Sequence, residues 1–170
     1  MLATSLRPAS PRDTDALRDF LEEVDLTAAD LDVPGLRLWV AHDDSGAIVA
    51  STGYELSRDG RHALVRSVAV APSVRGAGHG TALARFALDD AAARGATRAW
   101  LFSRRSGPFW QRLGFERAVR DELVAVLPES HQVRLFASTG QLHDEVAWSR
   151  ALRASAERSD SPPLCSGEPG

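Results

Sequence analysis

The chain has 170 residues, 44% of them hydrophobic and 25% charged, which suits one domain with a sizeable core. Twenty basic against 23 acidic residues leave a formal net charge of −3, and all 20 are arginine, with no lysine or asparagine anywhere. Without lysine there is no Gly-Lys-Ser/Thr phosphate loop and no Schiff-base chemistry, and the mild acidity argues against a general nucleic-acid binder.

Ser5 to Arg7 ends a first short strand. Ser10 as N-cap and Pro11 in the first turn open a helix that carries Leu17, Phe20, Leu21 and Val24 on one face. Thr27 reads as the cap of a second short helix ended by Pro34-Gly35. A β meander follows: Leu36 to His42, Ala47 to Leu56 and Ala63 to Ala71, joined by turns at residues 43–46 and 58–60. Pro72 to Gly80 is a glycine-rich loop, and a helix runs from Thr81 to Arg94. Thr97 to Ser103 is a strand, and Phe109 to Leu113 forms a helical turn or two stopped at Gly114. Phe115 to Val119 is extended, Asp121 to Phe136 helical with a break near Pro128, and Glu145 to Leu152 a last strand. Trp39, Trp100 and Trp148 fall on strands and read as core.

The order predicts an α/β (α+β) fold with a mixed sheet over residues 1–152. Residues 153–170 are polar and proline-rich and read as a flexible tail. The one cysteine, Cys165, lies in that tail, so no intramolecular disulfide and no cysteine zinc site is expected. The five histidines have no metal-ligand spacing. With no apolar run of membrane or signal-peptide length, the chain reads as soluble and cytoplasmic.

The informative segment is Val68-Ala-Val-Ala-Pro-Ser-Val-Arg-Gly-Ala-Gly-His-Gly-Thr81, a strand, a glycine loop and a helix start. Such a loop brings backbone N–H groups close to a ligand, and the helix N-terminus adds its own orphan amides and dipole, which suits a pyrophosphate. Arg75 adds a charge-assisted donor. The spacing G-x-G-x-G after a three-strand meander does not match a dinucleotide fingerprint.

Arg75-Gly-Ala-Gly-His-Gly80 resembles the acetyl-CoA loop of the GNAT N-acetyltransferase superfamily, and Phe109-Trp-Gln-Arg-Leu-Gly-Phe115 resembles that family's Phe-Tyr-x-x-x-Gly-Phe block. The resemblance covers residues 4–152 and implies a GNAT fold: a mixed, mostly antiparallel central sheet flanked by helices, with a splayed parallel pair at the cofactor site. It implies that the main chain of Val68, Ala69 and Val70 lines the pantetheine. The amides of Arg75, Gly76, Gly78, Gly80 and Thr81 cradle the pyrophosphate, and His79, Ser106 and Trp110 are further cofactor neighbours. An amine attacks the thioester directly, with no covalent intermediate and no metal.

Three positions depart from the family. Trp110 stands where a tyrosine often protonates the leaving thiolate. No asparagine follows the fifth strand, which leaves Ser103 or Ser106 as substitutes. Arg66 occupies the strand that often carries a carboxylate, and alternation puts it on the face shared with Val68 and Val70. Arg66 cannot be a base; it is a candidate to hold an anionic group of the substrate, or else makes a structural ion pair. Glu55 is the nearest candidate base, or a partner for Arg66.

The blocks Arg66 to Pro72, Gly53-x-Glu55, Phe109 to Phe115 and Ala147 to Leu152 look most like the arsenic-resistance-associated N-acetyltransferase branch. That resemblance implies a small amino-acid-like amine as partner, and the wider family resemblance implies a possible homodimer. Two other readings stay open: acetylation of a protein or peptide, and a non-catalytic acyl-CoA sensor.

Overall fold

The computed structural model describes residues 5–28 and 31–153. The elements are β1 (Arg7–Pro8), α1 (Thr14–Glu23), β2 (Leu36–His42), β3 (Ile48–Leu56), β4 (His62–Val70) and α2 (His79–Ala93). Then follow β5 (Arg98–Phe102), α3 (Gly107–Arg112), β6 (Glu116–Arg117), α4 (Arg120–Val126), α5 (His131–Thr139) and β7 (Ala147–Ala151). They build one seven-stranded sheet in the order β1-β2-β3-β4-β5-β7-β6. Every neighbour pair is antiparallel except β4–β5.

The central strand β3 is buried on both faces. On one face α1 packs Leu17, Phe20 and Leu21 against Leu38, Val40 and Ala69. The same face carries α4 and α5, whose Leu123 and Val133 meet Leu64 and Trp100. On the other face α2 presents Ala84, Ala87 and Ala91 to Tyr54, Ala63 and Val65, with Trp110 and Phe115 beside them. The alanines bring α2 close enough for Thr52 Oγ1 to donate to the Leu83 carbonyl at 2.9 Å. Trp39, Trp100 and Trp148 are all buried, as expected of core residues.

Two features of β4 shape the site. First, it pairs with β5 only from His62–Arg98 to Leu64–Trp100. Beyond Leu64 the parallel strands part, as the family resemblance implies. Second, Ser51 pairs with Ala69 and Gly53 with Arg66, so Ser67 and Val68 together face the single Thr52. This is a β-bulge, and Ser67 sits in it with φ 59. Ser51 Oγ holds it by donating to the Ser67 carbonyl at 2.6 Å.

The bulge overturns one expectation. Arg66 does not share a face with Val68 and Val70. The extra residue shifts the alternation, so Arg66 and Leu64 face α4 and α5 while Val68 and Val70 pack towards Leu83 of α2.

Other differences are local. No helix occurs among the described residues between Asp25 and Gly35; residues 29 and 30 of that expected helix lie outside them. The glycine-loop helix begins at His79 rather than Thr81. The long helix expected to Phe136 is two helices, the second capped by Ser130, whose hydroxyl accepts from the Val133 amide. The tail from Ala154 onward, with Cys165, also lies outside the described residues.

The entry to α1 depends on Asp13, which is buried. Arg7 grips it through two bonds of 2.8 Å, and the Ser10 amide donates to it at 2.7 Å. The Arg7 guanidinium, helped by Ser10, holds the Asp13 carboxyl well below the usual carboxylate range against the opposing pull of burial. A depressed folded pKa stabilises the fold above the unfolded value of about 3.9, and that stabilisation is lost as pH falls below it. Asp13→Asn is therefore expected to cost about 1–3 kcal/mol at pH 7. It should also flatten the stability profile below about pH 4. Urea melts of both proteins from pH 3 to pH 7 check this; parallel profiles would refute it.

Candidate active site

Where β4 and β5 part, a cleft of about 640 Å³ opens. Val65, Arg66, Ser67, Val68 and Val70 of β4 form one wall, and Leu101 to Ser106 the other. Gln132 and Phe136 of α5, with Gln141 and Glu145, close one end, and residues 24–27 after α1 line the mouth. There Arg105 pairs with Asp25 at 2.7 Å, both well exposed. With no β5 partner after Leu64, the edge of β4 turns main-chain groups towards this space.

A second hollow of about 370 Å³ continues the cleft along Val68, Ala69, Val70, Arg75, Gly76, Gly80, Ser106 and Phe109. Its floor is the glycine loop. Gly76, Ala77 and Gly78 all take positive φ, of 104, 53 and 74. At Gly76 and Gly78 only glycine does so without strain. The turn delivers the chain into α2, where helix geometry leaves the Gly80 and Thr81 amides without intrahelical acceptors. A Cβ at Gly80 would sit 3.6 Å from the Phe109 ring, at the edge of the hollow. Arg75 Nε donates to the Val70 carbonyl at 3.2 Å and folds the loop back on the strand end.

Of the predicted cofactor neighbours, Val68, Val70, Gly80 and Ser106 line both spaces, Ala69, Arg75 and Gly76 the hollow, and Trp110 the cleft. Gly78, His79 and Thr81 shape the loop and helix start but line neither. Trp110 is buried edge-on against Phe109 and Phe115. Ser103 Oγ is engaged by the Ser106 amide at 3.1 Å. The only tyrosine, Tyr54, lies under α2 away from the cleft and donates to Asp90. Burial, then Asp90, pushes its phenol far above its ordinary value.

Arg66 and Glu55 come together as one network. Arg66 Nη1 lies 3.5 Å from Glu55 Oε2, with side-chain exposures of 2% and 7%. Glu55 Oε1 accepts the His131 amide of α5 at 2.8 Å. Arg66 lines the cleft; Glu55 stands behind it and does not. Glu145 is the buried carboxylate that does line the cleft, held by Gln141 Nε2 at 3.0 Å, with Arg104 3.6 Å away. Sequence reasoning missed Gln132, Phe136, Gln141 and Glu145. The Ser130 cap ahead of an apolar periodicity is the one signal for the first two, which lie on α5. Among the described residues no three His, Cys, Asp or Glu side chains gather as a metal site, and no helix is long and apolar enough to cross a membrane.

The profile of the acetyltransferase (GNAT) family matches residues 3–115, which takes in the meander, the splayed strands, the glycine loop and α3. The chain belongs to the acetyltransferase (GNAT) family. No curated protein matches it in sequence. Among solved structures it is similar to N-acetylglutamate synthase from Neisseria gonorrhoeae complexed with coenzyme A and N-acetyl-glutamate, at 22% identity and TM-score 0.70. That match covers 88% of this chain but 35% of the synthase, so this GNAT chain spans about a third of that relative. It is also similar to Rv2747 from Mycobacterium tuberculosis in complex with CoA and NLQ, at 19% identity and TM-score 0.66, covering 87% and 99%. An acetyltransferase from Trypanosoma brucei matches at 26% identity and TM-score 0.57, covering 67% and 93%.

In this GNAT chain the Glu55–Arg66 pair is also a structural joint. Glu55→Ala would leave a buried guanidinium and the first amide of α5 without their carboxylate. It is expected to destabilise the fold by about 3–5 kcal/mol, the typical cost of breaking a buried pair from one side. Denaturant melts measure this; a loss under about 1 kcal/mol would mean the pair behaves as a surface bridge.

Proposed function

We propose that the chain is an acetyl-CoA-dependent N-acetyltransferase whose acceptor is the primary amine of a small, amino-acid-like molecule bearing an anionic group. The observation that carries the acceptor class is Arg66, a buried guanidinium in the wall of the cleft where β4 and β5 part. Its charge and forked donors suit a carboxylate or phosphonate.

In this reading the pantetheine lies along Val68, Ala69 and Val70, and the pyrophosphate meets the amides of Arg75, Gly76, Gly78, Gly80 and Thr81. His79, Ser106 and Trp110 flank the cofactor. The amine attacks the thioester carbonyl, the C–S bond breaks, and coenzyme A leaves as its thiolate. A thiol pKa of about 8.5 makes an unprotonated departure tolerable without the usual tyrosine. Glu55 acts from behind Arg66, fixing it and taking up the amine proton through water. Holding both reactants in one cleft supplies most of the acceleration.

The segment likenesses to the arsenic-resistance-associated branch support amino-acid-like acceptors, including phosphonate or arsenic analogues. A soluble, cytoplasmic homodimer is the setting that goes with this reading.

The test is thiol release from acetyl-CoA with L-glutamate, 2-aminoethylphosphonate, ethanolamine and a short peptide. We expect turnover with the first two. Arg66→Lys should raise KM for both by about tenfold or more, as expected for a lost charge-assisted contact, and leave ethanolamine little changed. Gly80→Glu should abolish acetyl-CoA binding. Acetyl-CoA binding with no thiol release for any amine would replace this reading with the sensor. Turnover of the peptide alone would shift it to a protein acetyltransferase.

A further inference from the structure

We infer that Ser67 of the β4 bulge and Gln132 of α5 form the subsite that receives the attacking amine nitrogen, an inference that rests on the acetyl-transfer reading above. Both residues are 8% exposed and both line the cleft. Ser67 Oγ and Gln132 Oε1 are buried and have no hydrogen-bond partner among the described residues. Folded proteins rarely leave such atoms unpaired, and those that persist call for an explanation.

Ser67 carries two burdens. Its φ of 59 lies in the left-handed region, which a side chain disfavours, and its hydroxyl is desolvated without a partner. Glycine would remove both. The bulge does not need the hydroxyl, because it is the Ser67 carbonyl that Ser51 Oγ binds at 2.6 Å. The fold requires the bulge but not a side chain on it, and strained residues of this kind cluster at functional positions. Gln132 is likewise not needed to start α5, since the Ser130 hydroxyl caps the Val133 amide and Glu55 accepts the His131 amide.

Gln132 Oε1 can only accept, and the Ser67 hydroxyl accepts through its lone pairs while its own O–H stays free to rotate, so both can take an N–H from a ligand. A primary amine in its attacking form has two N–H bonds. Given one to Ser67 Oγ and one to Gln132 Oε1, its lone pair is left for the thioester carbonyl. Arg66 in the same cleft takes the anion, and Glu145 on the end wall adds negative charge towards an arriving ammonium. The subsite therefore selects primary amines that bear an anion. A secondary amine, with one N–H, leaves one acceptor unpaired, and sites built to hydrogen-bond a group reject analogues lacking it.

The test compares Ser67→Gly, Gln132→Leu and Gln132→Glu with the wild type. Melting temperature, acetyl-CoA affinity by calorimetry, and kcat/KM for L-glutamate, N-methyl-L-glutamate and 2-aminoethylphosphonate are read for each. Ser67→Gly should melt at or above wild type, bind acetyl-CoA unchanged, and lose at least tenfold in kcat/KM. Gln132→Leu should lose as much, while Gln132→Glu, which keeps an acceptor, stays within a few-fold. Wild type should prefer L-glutamate over its N-methyl form, and Ser67→Gly should narrow that preference. Undiminished kcat/KM in both Ser67→Gly and Gln132→Leu would overturn the subsite, as would a lower melting temperature for Ser67→Gly. Should the wild type bind acetyl-CoA yet transfer to no probe, the acetyl-transfer reading fails first. Calorimetry of 2-aminoethylphosphonate against the acetyl-CoA-bound protein then decides the subsite. Binding that both variants weaken tenfold supports it; no binding, or equal binding, overturns it.

Discussion

Strand β4 sets two residues, Ser67 and Val68, against the single Thr52 of β3, and that extra residue decides which side chains β4 turns to each end of the cleft. Before the bulge, Leu64 and Arg66 point at α4 and α5; after it, Val68 and Val70 point at α2. A regular strand would keep all four on one face. The bulge also bends the strand, which helps part it from β5 after Leu64. One irregularity thus gives a polar, cationic end beside α5 and an apolar end that runs into the glycine loop. A donor and an acceptor of opposite character need such a division.

The polar end is stabilised from behind. A buried guanidinium is tolerable only when paired and hydrogen-bonded, and Glu55 supplies the pair. Glu55 in turn accepts the first amide of α5, so the carboxylate ties β3, β4 and the added helix to one point. The same contact holds Gln132, the next residue along, at the end of the cleft. The charge of Arg66 and the position of α5 therefore depend on each other. Removing either would loosen the polar end and leave the glycine loop, on the far side of the bulge, intact.

Much of this was legible in the sequence because it is local. The meander shows in alternating runs between turns, and the loop in Gly76, Gly78 and Gly80 after an apolar strand. The splayed pair followed from the family likeness. The face of Arg66 was not legible, because alternation has no signal for an unpaired residue when that residue is serine rather than glycine. The segment after Asp25 misled for a related reason: Thr27 and Pro34-Gly35 are good helix punctuation around a stretch with little apolar periodicity. The sequence placed Gln132 on a helix and Glu145 at the start of the last strand but not in the cleft, since the packing of α5 on Leu64 and Trp100 brings Gln132 there and the pairing of β7 with β5 brings Glu145.

A chain without lysine or asparagine, and with one tyrosine, has a narrow choice of polar groups for this chemistry. The one phenol is locked under α2 with Asp90, its acidity suppressed by burial, so it cannot supply a proton to the cleft. Trp110, where the family often has a tyrosine, offers only an indole N–H. At its polar end the cleft holds a guanidinium, a hydroxyl, two amides and a carboxylate from Arg66, Ser67, Gln132, Gln141 and Glu145. That set binds and orients; Glu22 and Asp25 are further carboxylates on the lining, and Glu55 stands behind Arg66. Chemistry suited to it needs a leaving group that departs as an anion and a nucleophile that needs only to be positioned and deprotonated. A thioester attacked by an amine meets both conditions.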